Sequence, residues 1–280
     1  MSASPRTVLI TGASSGFGRA IAEALVARGD RVCGTTRRSA PEIPSTQAQP
    51  LARVQMLTME VGDAASVEAA VARMITEVGR IDVLINNAGF GIAGAIEDTS
   101  DAEAHAQFET NFFGLHRVCR AVLPQMRKQS SGRVINLSSL AGLVAIPYQA
   151  FYCASKHAIE GYTEALRMEM KPFGIHVSMV EPGDFATSFT DNRQMVAGSV
   201  EGSAHHARCR TAVARMQEDE RKFRDLTPVV KTVLAALDDA RPALRYPVAV
   251  PIQRFLVALK PFVPQRLFEY LIMDNYKLTK

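Results

Sequence analysis

From residue 7 to about 181, short apolar runs alternate without a break with longer stretches of helical period. Few architectures accept such a chain. The apolar runs are Thr7–Ile10, Arg31–Thr36, Val54–Met59, Val83–Asn86, Arg133–Leu137 and His176–Glu181. Bounded by Gly or Asp, they read as strands buried on both faces. Between them, Phe17–Arg28, Ala65–Val78, Ala102–Lys128 and Gln149–Lys171 place apolar residues at helical spacing. Each helix is long enough to carry the chain back, so successive strands run parallel in repeated βαβ units. The expected fold class is α/β: a doubly wound parallel sheet flanked by helices, one domain over residues 1–280. Residues 38–50, with three prolines, read as a loop. Residues 185–225 are expected to form a substrate lid. Residues 240–280 read as a C-terminal extension, with Ala243–Tyr246 a last short strand.

Bulk composition excludes several functions. The net charge of +4 is spread along 280 residues, and no Lys/Arg stripe with interleaved aromatics exists, so no nucleic-acid partner is expected. Cys33, Cys119, Cys153 and Cys209 are far apart with no CxxC. They read as reduced thiols rather than a disulfide framework or zinc site, and with the leaderless Met1–Thr7 they predict a cytoplasmic protein. The adjacent His205 and His206 point to different faces, and no metal site is expected. No apolar run approaches the roughly 18 residues of a membrane span. Pro251–Met273 mixes Phe, Leu and Ile with Arg254, Lys260 and Arg266, but Pro251, Pro261 and Pro264 interrupt it. It reads as a cover for the cleft or a subunit contact, with association to a membrane surface left open.

The first strand runs into Thr11-Gly12-Ala13-Ser14-Ser15-Gly16-Phe17-Gly18 and directly into a helix. Glycines let backbone approach a pyrophosphate, and the helix N-terminus offers free N–H groups and partial positive charge. A Gly-rich turn alone is weak; one between a first strand and a first helix predicts nucleotide binding.

This turn resembles that of the short-chain dehydrogenases/reductases, and further segments agree in order and spacing. Asn86-Asn87-Ala88-Gly89 resembles the family's NNAG, and Asn111 falls where the family carries an active-site Asn. Asn136-Leu137-Ser138-Ser139 ends a strand, Tyr152-Cys153-Ala154-Ser155-Lys156 matches YxxxK, and Pro182-Gly183 is followed by Thr187. The resemblance covers roughly residues 5–190 and is closest to hydroxysteroid and retinol dehydrogenase-like members. It implies a Rossmann-like sheet, an NAD(P) cofactor, a homodimer or homotetramer built on Ala102–Lys128 and Gln149–Lys171, and a catalytic set of Asn111, Ser139, Tyr152 and Lys156. By the same resemblance Gly12, Ser14, Ser15, Gly16, Phe17, Gly18, Glu60, Val61, Asn87, Ala88, Gly89, Tyr152, Lys156, Pro182, Gly183 and Thr187 bind the cofactor. Glu60 stands where the family usually has Asp.

The chemistry fits these residue types. Tyr152 and Lys156 are one helical turn apart, so they share a face. A free phenol with pKa near 10 exchanges protons poorly at pH 7, and a neighbouring ammonium is expected to pull it down. By family analogy, Lys156 also holds the ribose hydroxyls and Asn111 positions a water between Lys156 and solvent. Ser139, thirteen residues before Tyr152, would hydrogen-bond the substrate oxygen. Ser138 is its rival for that role. Taken singly, each is an ordinary helix-face or strand-end residue; the joint spacing is what singles them out.

Strand two ends in Thr35-Thr36-Arg37-Arg38. A carboxylate there would bond the 2′-hydroxyl of NAD(H) and repel a 2′-phosphate. Two guanidiniums instead favour NADP(H), because Arg binds phosphate with a planar fork, although Ser15 is neutral where many NADP-binding relatives are basic. Phe90, Leu143, Val144, Ile146, Phe185 and Phe189 predict a bulky apolar alcohol or ketone as substrate. The alternative in another class is a non-catalytic NADP(H)-binding regulator or redox sensor on the same fold; the intact Ser, Tyr and Lys set speaks against it. An epimerase or dehydratase relative would carry a differently spaced turn and a longer C-terminal domain.

Overall fold

A computed structural model describes residues 5–37 and 54–279. The chain order is β1 Thr7–Ile10, α1 Gly16–Ala27, β2 Arg31–Thr36, β3 Gln55–Thr58, α2 Ala64–Val78, β4 Val83–Asn86 and β5 Ile92–Ala93. Next come α3 Asp101–Phe108, α4 Gly114–Gln129, β6 Gly132–Leu137, α5 Ala150–Met170, β7 Ile175–Pro182, α6 Ser188–Asp191 and β8 Gln194–Met195. The chain closes with α7 His206–Arg221, α8 Thr227–Asp238, β9 Arg245–Val248, α9 Pro251–Leu259 and α10 Gln265–Asn275.

Seven strands pair in the order β3-β2-β1-β4-β6-β7-β9, every pair parallel. All four residues of β1 and of β4 are buried, as the apolar runs require. Side chains alternate across the sheet. Leu9, Cys33, Leu84, Val134 and Val177 pack under α2, α4 and α5; Val8, Ile10, Val32, Ile85 and Val180 pack under α1 and α8. Strand order reverses between β1 and β4, and there the chain leaves a crevice beyond the carboxyl ends of the strands.

The sequence reading and the structure differ in three places. The stretch expected as one helix over Ala102–Lys128 is interrupted by a π turn at Glu109–Phe113, a wide turn that places Asn111 inward. The C-terminal region contributes β9, which completes the sheet, two residues beyond the start expected for the last strand. And α8 was not anticipated, although Thr227-Pro228 at its start and the buried spacing Val229, Val233, Ala236, Leu237 are helical signals. A two-stranded pairing of β5 with β8 ties the 185–225 segment to the chain after β4.

The turn after β1 is built on close approach. Gly12 adopts φ +68°, a left-handed conformation that favours glycine. A Cβ on Gly18 would lie 2.3 Å from the Gly12 carbonyl oxygen and 2.5 Å from Asn87 Nδ2. Gly18→Ala therefore forces the turn away from α1. The expected cost is about 1–3 kcal/mol, read in thermal denaturation as a fall of a few degrees in Tm; an unchanged Tm would contradict this packing.

Candidate active site

A cavity of about 1140 Å³ occupies the crevice beyond the strand ends. One end is the turn after β1, where Gly12, Ser14, Ser15, Gly16 and Phe17 line the wall. Gly18 does not line it; it packs behind the turn against Gly12. The N-cap of α1, Ser15, makes no side-chain cap, and the first turn of α1 holds no acidic residue. The Ser15 hydroxyl instead accepts a 2.9 Å hydrogen bond from Ser188. Uncapped N–H groups facing a cavity, with no carboxylate to fill them, fit the pyrophosphate of a dinucleotide.

Beside the turn, Thr35, Thr36 and Arg37 line the cavity where β2 ends, while Arg38 lies outside the described residues. Glu60 and Val61 line it after β3. The Glu60 carboxylate turns back to accept from Gly62 N at 3.1 Å. Asn87, Ala88 and Gly89 line the centre. Asn87 also clamps the turn, donating through Nδ2 to the carbonyls of Thr11 and Gly12, each at 2.9 Å.

Asn111, Ser139, Tyr152 and Lys156 come together on the same cavity, which Pro182, Gly183 and Thr187 also line. Asn111 Oδ1 accepts from Phe90 N at 3.0 Å, and its Nδ2 donates to Phe90 O at 3.0 Å and Ser155 Oγ at 3.2 Å. Its side chain is thus spent on fixing the loop after β4. Ser139 Oγ accepts from Ala141 N at 3.1 Å and donates to Pro182 O at 3.3 Å. Ser138 is engaged elsewhere, donating to the buried Glu160 carboxylate, so Ser139 is the hydroxyl turned toward Tyr152.

Lys156 is buried and donates from Nζ to Leu137 O at 2.8 Å, with Nζ 5.8 Å from the Tyr152 ring centre. Burial lowers its pKa to about 8, against the opposing pull of Glu160 one turn later. Burial raises the Tyr152 phenol above its usual range, and a hydrogen bond with Ser139 opposes it. Lys156 does not figure among the groups that lower the phenol, contrary to expectation; Ser139 and Arg193 do, desolvation outweighs them, and Tyr152 stays a neutral proton donor at pH 7.

Phe90, Val144, Ile146, Phe185 and Phe189 line the cavity; Leu143 does not, its carbonyl accepting from Lys260 Nζ at 2.6 Å. The sequence reading missed the far wall, where Gln149, Asp184, Glu220, Gln253 and Tyr276 also face the space. Their signal was weak, because they come from five separate segments. Among the described residues no helix is long and apolar enough to cross a membrane, and no three His, Cys, Asp or Glu side chains are grouped to hold a metal.

The family model for short chain dehydrogenases matches residues 6–196. The chain belongs to this family. A 3-ketodihydrosphingosine reductase from Bacteroides thetaiotaomicron is 39% identical over 274 residues, 98% of this chain and 99% of that one. Human retinol dehydrogenase 8 is 38% identical over 68% of this chain and 62% of its own. Mouse 17-beta-hydroxysteroid dehydrogenase type 1 is 34% identical over 86% and 73%. A short-chain dehydrogenase structure from Streptomyces avermitilis superposes with TM-score 0.81 at 35% identity, covering 98% of both chains. Family members in complex with NAD, from Burkholderia phymatum (TM-score 0.79, 25% identity, 94% and 95% covered), and with NADP, from Burkholderia cenocepacia (0.71, 25%, 98% and 100%), share the fold. This short-chain dehydrogenase is an oxidoreductase of CH–OH groups that works with a nicotinamide dinucleotide.

The depressed Lys156 gives a pH dependence with a definite sign. Its ammonium is present below about pH 8 and lost above it. Reductive kcat/KM is expected to fall as pH rises through about 8; a profile flat from pH 7 to 9.5 would remove Lys156's charge from the chemistry.

Proposed function

We propose that this short-chain dehydrogenase is an NADP(H)-dependent reductase of a bulky apolar ketone, with Ser139, Tyr152 and Lys156 catalytic and Asn111 holding the site open. The observation that carries the reading is the meeting of buried Tyr152 and Lys156 and the half-buried Ser139 with a phosphate cradle at one end and an apolar chamber at the other, in one cavity.

The nicotinamide, when bound, supplies the hydride to the carbonyl carbon. Ser139 Oγ exchanges its bond to the Pro182 carbonyl for the substrate oxygen and holds it beside the phenol. Tyr152 passes its proton to that oxygen, and the Lys156 ammonium stabilises the phenolate left behind. Asn111, spent on Phe90 and Ser155, keeps the loop after β4 and the start of α5 in register. Phe189, whose ring centre is 5.3 Å from that of Tyr152, shields the phenol from water. Residues 185–225 act as the lid, tied to the cradle through Ser188 and Ser15.

Arg37, exposed at the cavity mouth where no carboxylate ends β2, is the group we assign to the 2′-phosphate. The near full-length match to a 3-ketodihydrosphingosine reductase makes a long-chain ketone the first substrate to test. Cytoplasmic residence and a homodimer or homotetramer, formed through Ala102–Lys128 and Gln149–Lys171, where Phe113 and Met168 are exposed, complete the reading.

Loss of NADPH absorbance with 3-ketodihydrosphingosine, steroid ketones and retinal tests it. NADPH is expected to exceed NADH by at least about tenfold in kcat/KM, with Arg37→Asp reversing the order. Tyr152→Phe is expected to lower kcat by about 10²–10⁴-fold with NADPH still bound. Retained turnover in Tyr152→Phe, or NADH preferred by the unaltered enzyme, would contradict the assignment.

A further inference from the structure

The far end of the cavity is not uniformly apolar, and one of its carboxylates makes no ion pair. Glu220 is ion-paired with Arg193, whose side chain is 1% exposed. Asp219 is ion-paired with Arg215 at 3.1 Å and with Lys222 at 2.7 Å. Asp184, directly after Pro182-Gly183, makes no ion pair among the described residues, although the charge of Arg193 reaches it; Gln253 Nε2 donates to its Oδ2. Carboxylates in such a wall normally carry a counter-charge, because an unpaired one is costly to desolvate.

Independent polar vacancies lie beside it. Glu220 Oε2 and Gln253 Oε1 are buried without a hydrogen-bond partner, and so are Arg193 Nε and Nη1. Buried polar atoms are rarely left so, and the two acceptors, on residues that line the same cavity wall, mark a place where another molecule completes the bonding. The group sits at the reacting end. The charge of Glu220 reaches the Tyr152 phenol, and the charges of Asp184 and Glu220 both reach the Tyr276 phenol, which also feels Cys153 beside Tyr152. Asp184 itself is held up to about 6 by desolvation and by Glu220, against the Gln253 hydrogen bond and the charge of Arg193. The space beyond is apolar, walled by Leu256, Phe268, Leu271 and Ile272.

We propose that Asp184, with Glu220 Oε2 and Gln253 Oε1 as further acceptors, is the specificity-determining subsite for a primary ammonium group carried close to the reacting carbonyl of a long-chain substrate. An ammonium offers three donors and one positive charge, matching a carboxylate without an ion pair and two orphaned acceptors. The ligand class is an amphiphilic amino ketone and its amino alcohol. This rests on the reductase reading above for the carbonyl, while the ammonium contact stands on the wall's own charges.

Binding separates the two. Isothermal titration of the NADP⁺-loaded enzyme with sphinganine and with a long-chain alcohol lacking the amine compares ligands differing in the charged group. A charge-assisted contact predicts at least about tenfold tighter binding of the amine. Asp184→Asn should bring the two ligands to within about threefold of each other, and Glu220→Gln should narrow the gap partially. Equal binding of amine and alcohol to the unaltered enzyme would overturn the subsite, as would a preference that survives Asp184→Asn in a variant with unchanged Tm. NADPH oxidation with the matching amino ketone is read alongside: its absence with the amine preference intact would fail the reductase reading alone, and its presence without that preference would fail the subsite alone.

Discussion

Asn87 grips the glycine turn and the end of β4 at once, and the site depends on that grip. Its amide donates to the carbonyls of Thr11 and Gly12, while Thr11 Oγ1 accepts from the backbone of Asn87 at 2.9 Å and Ala88 at 3.0 Å. Two loops from strands 75 residues apart in sequence are thereby locked face to face at the reversal of strand order. Without this lock the N-terminus of α1 would not open onto the same space as Asn111 and Tyr152. Gly18 completes it by letting α1 close on the Gly12 carbonyl.

From that point the chemistry is layered outward. Lys156 is buried against the Leu137 carbonyl, and behind it Glu160 receives Ser138 and pairs with Arg245, which also reaches Glu164 and Glu181. Glu160 and Glu181 are the buried members, and removing the half-exposed Arg245 would leave both carboxylates desolvated without their cation. The arrangement fixes adjacent serines in opposite roles: Ser138 serves the charge network, and Ser139 faces the cavity. Burial keeps Tyr152 protonated and makes Lys156 easier to discharge, the opposite directions that desolvation imposes on an acid and a base.

Much of this was legible in the sequence because the features are local or periodic. β1 and β4 are continuous apolar runs, α1 follows its glycines directly, and Tyr152 and Lys156 share a face by helical spacing alone. The π turn at Asn111 was not legible, since its register is set by a tertiary bond to Phe90, not by propensity. Gly18 was read as a cofactor contact because spacing cannot tell a residue in front of a turn from one behind it. Asp184 was passed over for the same reason: only the fold brings it opposite Glu220, Gln253 and Tyr276, which lie 36 to 92 residues away.

The central claim is that one cavity aligns a hydride donor and the Tyr152 phenol on a ketone. Mass spectrometry of the alcohol formed from a long-chain ketone with NADPH deuterated at either face of C4 tests it most directly. One of the two labelled cofactors should place a single deuterium on the carbinol carbon, the other none, and Tyr152→Phe should suppress the labelled product. An alcohol formed without deuterium from either cofactor, or no alcohol at all from any bulky ketone, would contradict it.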